Sequence, residues 1–399
     1  MMSYIGNRLV HDADSHIMER SDCLDAYLES RLLARLRELP FVKAASGEYD
    51  RRVDAAAEAA SATGYHQAAD DNIMLRKNHE AMGATLAADR PRALDLLGVS
   101  SQLVFTTFCL GNFGLDHGDD MELCYGAADA HNRMMRDFCS VDKRLLDVAY
   151  VPLEDFERSA ALAQTAIKNG AKALMVPSRC PQQHGPSHKG LFPIWAMAQE
   201  AGLPILFHVG GEEPMNPVYK ENGLPPVPDF QGGDTNFTSV SYMPIPNAAM
   251  QALATLIIDG VFDAFPNLKW GAIELGANWL PAWMRAMDSA AHAFHRNEER
   301  LQKLSAKPSE LARRQLRVAP YPHEDVGWII ANSGPEMCLF STDFPHIEGG
   351  RDPLKRFNAA LEGQSKDNIN GFYADNFIDL MGNGLAAELR RPDLPSFAA

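Results

Sequence analysis

Acidic residues and histidines interrupt an apolar segment close to the start of the chain, where residues 10–19 read VHDADSHIME. Asp14 and His16 are two positions apart, so both point to the same side of an extended strand, and Glu19 follows on the loop beyond it. A carboxylate, an imidazole and a second carboxylate at a strand end can form half of a metal site. A turn-capping Asp14 and a buried, hydrogen-bonded His16 would explain the same residues without a metal.

Apolar segments suited to strands recur along the chain, and most of them follow a predicted helix. Several of these helices end at a glycine, for example Gly98 and Gly202, where a turn needs positive φ. Eight strands that alternate with helices predict an α/β fold, the (β/α)8 TIM barrel. A doubly wound sheet would instead need a glycine-rich loop after its first strand, which here ends in acids. The predicted strands begin at Leu9 and continue at 102–107, 146–152, 173–177, 204–209, 268–274, 316–320 and 337–343.

The chain is interpreted as a single metal-dependent TIM-barrel domain over residues 1–399 with two long excursions. Residues 21–90 are rich in Ala, Arg, Glu and Leu and predict a helical insertion after the first strand, lying across the mouth of the barrel. Residues 210–246 are rich in Gly, Pro and Asn and predict a mouth loop that forms the wall of a substrate pocket.

The barrel prediction locates chemistry, because active sites in this fold lie on the loops after the carboxyl ends of the strands. Each such residue taken alone has an ordinary structural explanation, as a core histidine, a helix cap or a turn acid. Ligand-capable side chains at four separate strand ends favour a metal site. These side chains are Asp14, His16 and Glu19 after strand one, His208 after strand five, Glu274 after strand six, and Asp343 and His346 after strand eight.

Composition excludes several other classes of protein. The net charge of −15 argues against nucleic acid or an anionic membrane as a partner, since both require a basic surface. No stretch approaches the roughly 18 apolar residues of a membrane helix, and no export signal begins the chain. The six cysteines show no CxxC spacing and predict reduced thiols in a cytoplasmic protein. A homo-oligomer is compatible with the sequence.

Four motifs are similar to those of a known family: DADSHIME at 12–19, LFHVGG at 206–211, GVFDAFPNLKWGAIELGANWLPAWMRAMD at 260–288 and LFSTDFPHIEGGRDP at 339–353. With these motifs the whole chain resembles the amidohydrolase-like superfamily of metal-dependent TIM barrels, in the branch that includes decarboxylases of small acids. The resemblance implies that Asp14 and His16 correspond to the strand-one His-x-His pair, His208 to the strand-five histidine and Asp343 to the strand-eight aspartate.

The chain departs from the family pattern at three positions. Strand one carries Asp14 and His16 in place of two histidines, and strand six carries Glu274 where a histidine is usual. Strand four lacks a lysine at its end, since Lys172 stands at its beginning, which argues against a hydrolytic two-zinc site.

This carboxylate-rich set is most similar to a smaller offshoot of the superfamily whose barrels hold two non-haem irons and activate dioxygen, with CoA-linked acids among the substrates. Oxygen and nitrogen ligands without thiolate suit iron or manganese as well as zinc, and carboxylates can bridge two ions. The resemblance implies two Fe ions and a monooxygenase that uses dioxygen to hydroxylate an organic acid or its CoA thioester. It implies ligand roles for the strand-end side chains, a ligand or donor role for His346, and catalytic roles for Glu274, Asp343 and His346.

Two alternatives remain open at this point. One is a hydrolase or decarboxylase of a small carboxylic acid, in which one Zn or Mn ion polarises a carbonyl or lowers the pKa of bound water. The other is a non-catalytic barrel that keeps its ligands for stability. Clustered acids repel one another unless a cation lies between them, and a site built to hold a cation is usually built to use it, which disfavours this interpretation.

Overall fold

The computed structural model describes residues 3–45, 47–60, 64–210, 215–228 and 238–390. Within these residues, seven strands form one sheet in the order of the sequence, and each strand runs parallel to the next. The strands are β1 (His11–His16), β2 (Ser101–Phe105), β3 (Leu145–Tyr150), β4 (Ala173–Met175), β5 (Ile205–His208), β6 (Trp270–Ile273) and β7 (Leu316–Val318).

Every connection between consecutive strands contains a helix, as parallel strands require. Helices α1 (Ser30–Arg37), α2 (Pro40–Ala45), α3 (Glu48–Ala60), α4 (Tyr65–Asp71) and α5 (Arg90–Leu97) precede β2, and α6 (Met121–Cys139), α7 (Phe156–Lys168) and α8 (Phe192–Ala201) precede β3, β4 and β5. The remaining helices are α9 (Ser239–Tyr242), α10 (Asn247–Ile258), α11 (Val261–Ala264), α12 (Leu280–Phe294), α13 (Glu299–Gln302), α14 (Pro308–Gln315), α15 (Val326–Ser333), α16 (Pro353–Ala360), α17 (Lys366–Asn370), α18 (Asn376–Met381) and α19 (Ala387–Arg390).

The eighth predicted strand, 337–343, is present as a hydrogen-bonded segment and not as a regular strand. It forms isolated parallel bridges to both edges of the sheet. Cys338 pairs with Val318 of β7, and Phe344, just after the predicted segment, pairs with Ser15 of β1. The regular ladder is interrupted because the Thr342 N–H donates to the Asp12 side chain. The segment nevertheless lies between the two edge strands, an arrangement consistent with the predicted TIM barrel.

The two faces of the strands pack into different apolar clusters. In β3, Leu146, Val148 and Tyr150 belong to one cluster, while Leu145 and Ala149 belong to the larger one. This alternation is expected because successive side chains of a strand point to opposite faces. Among the described residues no helix is long and apolar enough to cross a lipid bilayer.

The two predicted excursions are partly described. The segment 21–90 contains α1 to α4, and part of it lies against loops that follow the strands. The Asn78 N–H donates to Pro345 O at 2.9 Å, and the Tyr49 hydroxyl donates to Glu19 O at 2.9 Å. In the segment 210–246, residues 211–214 and 229–237 lie outside the described residues, so its role as a pocket wall stays a prediction.

Asp12 connects the eighth segment to the sheet. Its fully buried carboxylate accepts hydrogen bonds from the Thr342 N–H at 2.8 Å, the Thr342 hydroxyl at 2.5 Å and the Gln102 side-chain amide at 2.8 Å. Truncation would leave buried donors without acceptors, which costs more than the hydrogen bonds contribute.

We therefore expect Asp12→Ala to lower the free energy of unfolding by about 3 kcal/mol. Urea denaturation followed by circular dichroism measures this change. The matched control is Asp95→Ala, because the largely exposed Asp95 carboxylate forms a surface ion pair with Arg144 at 2.7 Å. Loss of this ion pair should cost less than about 1 kcal/mol. Equal stability of the two variants would contradict the connecting role of Asp12.

Candidate metal centre

Two histidines and three acids from four separate strand ends converge on one small buried space. His16 Nε2 lies 3.2 Å from Asp14 Oδ1, 3.5 Å from Glu274 Oε2 and 3.6 Å from Asp343 Oδ1. His208 Nε2 lies 3.4 Å from Asp14 Oδ1 and 3.3 Å from Glu274 Oε2. None of these side chains is more than 12% exposed. With His346, whose ring centroid lies 3.9 Å from that of His16, the barrel brings together six of the seven side chains predicted from the strand ends.

Backbone carbonyls fix the orientation of both imidazoles. His16 Nδ1 is 2.9 Å from Thr106 O, and His208 Nδ1 is 2.9 Å from Val209 O. A carbonyl can only accept, so each Nδ1 carries the proton and donates it. This arrangement directs Nε2 of each ring toward the acids, as in protein metal sites whose histidines are held by a carbonyl partner.

The buried atoms of this space lack the partners that buried polar atoms normally have. His16 Nε2, Glu274 Oε2 and Asp343 Oδ1 are all inaccessible to solvent and have no hydrogen-bond partner among the described residues. Unpartnered buried acceptors are costly, and adjacent carboxylates repel one another. A divalent cation would satisfy these atoms together, so the residues present fit a metal ion.

The backbone at the two acids from strands six and eight is strained. Glu274 has φ +55° and Asp343 has φ +52°, in the left-handed region that non-glycine residues rarely adopt. Beside Asp343 the chain also passes very close to itself, since a Cβ on Gly349 would lie 2.1 Å from Thr342 O. Such strain persists where the surrounding structure holds it in place, and it is concentrated at functional sites.

The ionisation of the centre follows from its burial and crowding. Burial and the charge of Asp343 raise the pKa of Glu274 to about 8, and burial and the charge of Asp14 raise the pKa of Asp343 well above its usual value. Burial opposes the ionisation of Asp14 as well, but the His16 and His208 imidazoles lower its pKa. Without a cation the centre therefore holds protons, which metal binding would displace.

His346 lies beside this centre and contacts it through Asp343. Its Nδ1 is 3.0 Å from Asp343 Oδ1, and its Nε2 is 2.8 Å from the Thr107 hydroxyl oxygen. The Thr107 hydroxyl donates to Ile17 O at 2.7 Å, so it accepts from His346 Nε2. His346 offers a ligand atom within 4.8 Å of ligand atoms of His16, Glu274 and Asp343, so both roles predicted for it, ligand and donor, stay predictions.

Glu19 is not grouped with the other predicted ligands. Its carboxylate is buried and accepts the Thr107 N–H at 3.1 Å and the Cys109 N–H at 2.7 Å. Both oxygens are therefore used to fix the loop after β2, and the ligand-capable neighbours of Glu19 are Cys23 and Cys109. The prediction that Glu19 joins the metal centre is not supported by this geometry.

Sequence reasoning also missed the residues that support the ligands. Thr106 and Thr107 follow β2 directly and orient His16 and His346, and the Tyr321 hydroxyl donates to Glu274 O at 2.7 Å. Thr106 and Thr107 stand at the end of a predicted strand, where active-site residues lie in this fold, so their position could have indicated their role. Tyr321 follows β7 in the same way.

Solved structures of other proteins share this fold. An amidohydrolase from Mycobacterium avium subsp. paratuberculosis K-10 aligns with a TM-score of 0.70 and 22% identity, covering 94% of this chain and all of that chain. A 5-carboxyvanillate decarboxylase from Novosphingobium aromaticivorans, complexed with manganese and 4-hydroxy-3-methoxy-5-nitrobenzoic acid, aligns with a TM-score of 0.63 and 16% identity over 94% and 96% of the two chains. A dihydroxybenzoic acid decarboxylase from Polaromonas sp. JS666, with manganese and 2-nitroresorcinol bound, aligns with a TM-score of 0.60 and 15% identity over 98% and 100%.

At these identities the structural neighbours establish the fold alone, and no curated protein sequence matches the chain. The family model for amidohydrolases matches residues 87–380, which is well over half of the chain and includes the strand ends that carry His208, Glu274 and Asp343. This protein therefore belongs to the amidohydrolase family.

Proposed function

We propose that this protein is a decarboxylase of a small carboxylic acid and that it uses one divalent cation, manganese or zinc. The observation that carries the proposal is the set of unpartnered buried atoms contributed by His16, Glu274 and Asp343. Asp14 and His208 complete a set of oxygen and nitrogen donors without thiolate, which suits manganese or zinc. The two decarboxylase neighbours that contain manganese support the same choice of metal.

The charge of the centre explains why an acid substrate would require the cation. Asp14, Glu274 and Asp343 are three carboxylates in one buried space, and a substrate carboxylate brought beside them would be repelled. A bound divalent cation supplies the positive charge that polarises the substrate and offsets this repulsion. The two decarboxylase neighbours hold small aromatic ligands, which favours an aromatic acid as the substrate class.

The protein's own residues can provide the proton that decarboxylation needs. The carbon that loses carbon dioxide must gain a proton, and the donor must lie within hydrogen-bond reach of it. Asp343 is a proposed ligand of the cation, so the proton is assigned to His346, whose Nδ1 lies 3.0 Å from Asp343 Oδ1 at the edge of the centre. Thr107 keeps His346 in position for this role.

A second candidate function is the two-iron monooxygenase implied by the sequence resemblance. One observation favours it: the ligand-capable atoms form two overlapping groups of four, and both groups include His16 and Glu274. One group adds Asp14 and His208, and the other adds Asp343 and His346. The structural neighbours reported above provide no support for iron, dioxygen or CoA, so we rank this function below the decarboxylase.

His208→Ala and Asp343→Ala should each weaken manganese binding on the order of 100-fold or more, because each change removes a proposed ligand. Inductively coupled plasma mass spectrometry after dialysis against manganese measures the loss. The far-UV circular dichroism should stay near that of the wild type, since the ligands stand on a preformed barrel. His188→Ala is the control, because His188 lies on the loop after β4 and its ring stacks against Phe156. A variant at either ligand that keeps its full metal content would remove that residue from the centre.

Glu274→Gln separates the one-ion and two-ion functions. The substitution keeps the shape of the side chain and removes its charge. A single-ion centre should lose its metal almost completely. A two-ion centre should keep one of two ions, because both groups of ligands share Glu274. Metal-to-protein ratios of wild type and variant, measured on the same preparation, decide between these outcomes.

The reaction should proceed without oxygen. With manganese added, a panel of dihydroxybenzoic and carboxyvanillic acids should release carbon dioxide equally well in air and under anaerobic conditions, because decarboxylation consumes no oxidant. Carbon dioxide release and product formation by chromatography measure the rate. Turnover that requires iron, a reductant and dioxygen, and stops in their absence, would instead establish the monooxygenase.

A further inference from the structure

Two thiols face each other next to the metal centre, on the side of Glu19. Cys23 Sγ and Cys109 Sγ are 3.4 Å apart. Cys23 belongs to the turn after β1, and Cys109 belongs to the 3-10 turn after β2. Cys109 is fully buried, whereas Cys23 is partly exposed, so an oxidant can reach one member of the pair from solvent.

We propose that Cys23 and Cys109 form a redox-active pair that closes to a disulfide and thereby lowers the metal affinity of the neighbouring centre. A peroxide is the class of oxidant. The Cys23 sulfur attacks one oxygen of hydrogen peroxide, which gives a sulfenic acid, and the thiol proton leaves with the departing hydroxide as one water. The Cys109 sulfur then attacks the Cys23 sulfur, and its thiol proton leaves with the sulfenic hydroxyl as a second water. The two thiols together lose two electrons and two protons.

A metal site is the competing interpretation, because Glu19, Cys23 and Cys109 bring three possible ligand atoms together. This cluster differs from the main centre in one respect. Both Glu19 oxygens accept backbone N–H groups, and each thiol has the other as its partner. No buried oxygen or nitrogen of these three side chains is among the unpartnered atoms of the described residues. The cluster is therefore complete without a cation, which favours the dithiol.

The loop that carries Cys109 also supports two residues of the centre. Thr106 O accepts from His16 Nδ1, and the Thr107 hydroxyl accepts from His346 Nε2. A disulfide requires its sulfurs to lie about 2.05 Å apart, so the two sulfurs must approach by more than an ångström. Because Cys109 is buried and continuous with Thr106 and Thr107, this approach displaces the groups that orient the imidazoles. Loss of such supporting contacts typically weakens metal binding by about 10- to 100-fold.

The test uses the full chain with Cys180→Ser, which removes the exposed cysteine that would otherwise react first. The protein is treated with hydrogen peroxide, and free thiols are counted after denaturation. We expect two of the five remaining thiols to disappear together. Mass spectrometry should then find a peptide pair joined through Cys23 and Cys109. Manganese affinity should fall at least about tenfold and recover with dithiothreitol.

Cys23→Ser in the same background is the matched control and should keep its manganese affinity after the same peroxide treatment. The proposal is overturned if the joined peptides are absent, or if the disulfide forms and manganese affinity does not change. It is also overturned if the untreated protein holds a zinc ion that Cys23→Ser loses while manganese binding at the main centre persists, since this would establish a metal site. None of these readouts depends on turnover, so failure of the proposed decarboxylase would leave this test intact.

Discussion

Three carboxylates are crowded together at the carboxyl ends of the strands, and their repulsion governs what the centre can bind. Asp14, Glu274 and Asp343 are buried together, and burial makes the charge of each one more costly. Only protons or a cation can relieve this repulsion, and the His16 and His208 rings direct their Nε2 atoms into the same space. The centre is therefore unfavourable unless protons or a cation compensate the charge of its acids.

The surrounding structure holds this environment in place by several independent contacts. Strained backbone presents Glu274 and Asp343, and backbone carbonyls orient the two imidazoles. The Asp12 side chain hydrogen-bonds the eighth segment to β1, two residues before Asp14. The eighth segment and β1 therefore stay in register where their ligands meet. A preorganised centre of this kind lowers the cost of binding a metal, because few groups must be ordered when the ion enters.

Much of the fold and most of the centre could be predicted from the sequence, because strand ends in a parallel barrel meet at one edge. The helix bounds were also predictable; for example, α8 ends at Ala201 immediately before the positive-φ Gly202. Glu19 stays a prediction, and its spacing from His16 does not reveal that backbone N–H groups of Thr107 and Cys109 occupy its oxygens. Such partners come from a loop about 90 residues away, and only tertiary structure brings them together. The irregularity of the eighth strand was hidden for the same reason, since it depends on the Asp12 side chain.

The central claim is that one divalent cation replaces the protons held by the crowded acids. Titration of metal-free protein with manganese near pH 7, followed by calorimetry in buffers of different ionisation enthalpy, measures the number of ions bound and protons released together. We expect one ion per chain with a net release of protons, because the pKa values of Glu274 and Asp343 are raised in the metal-free centre. Binding of two ions, or binding without proton release, would contradict it.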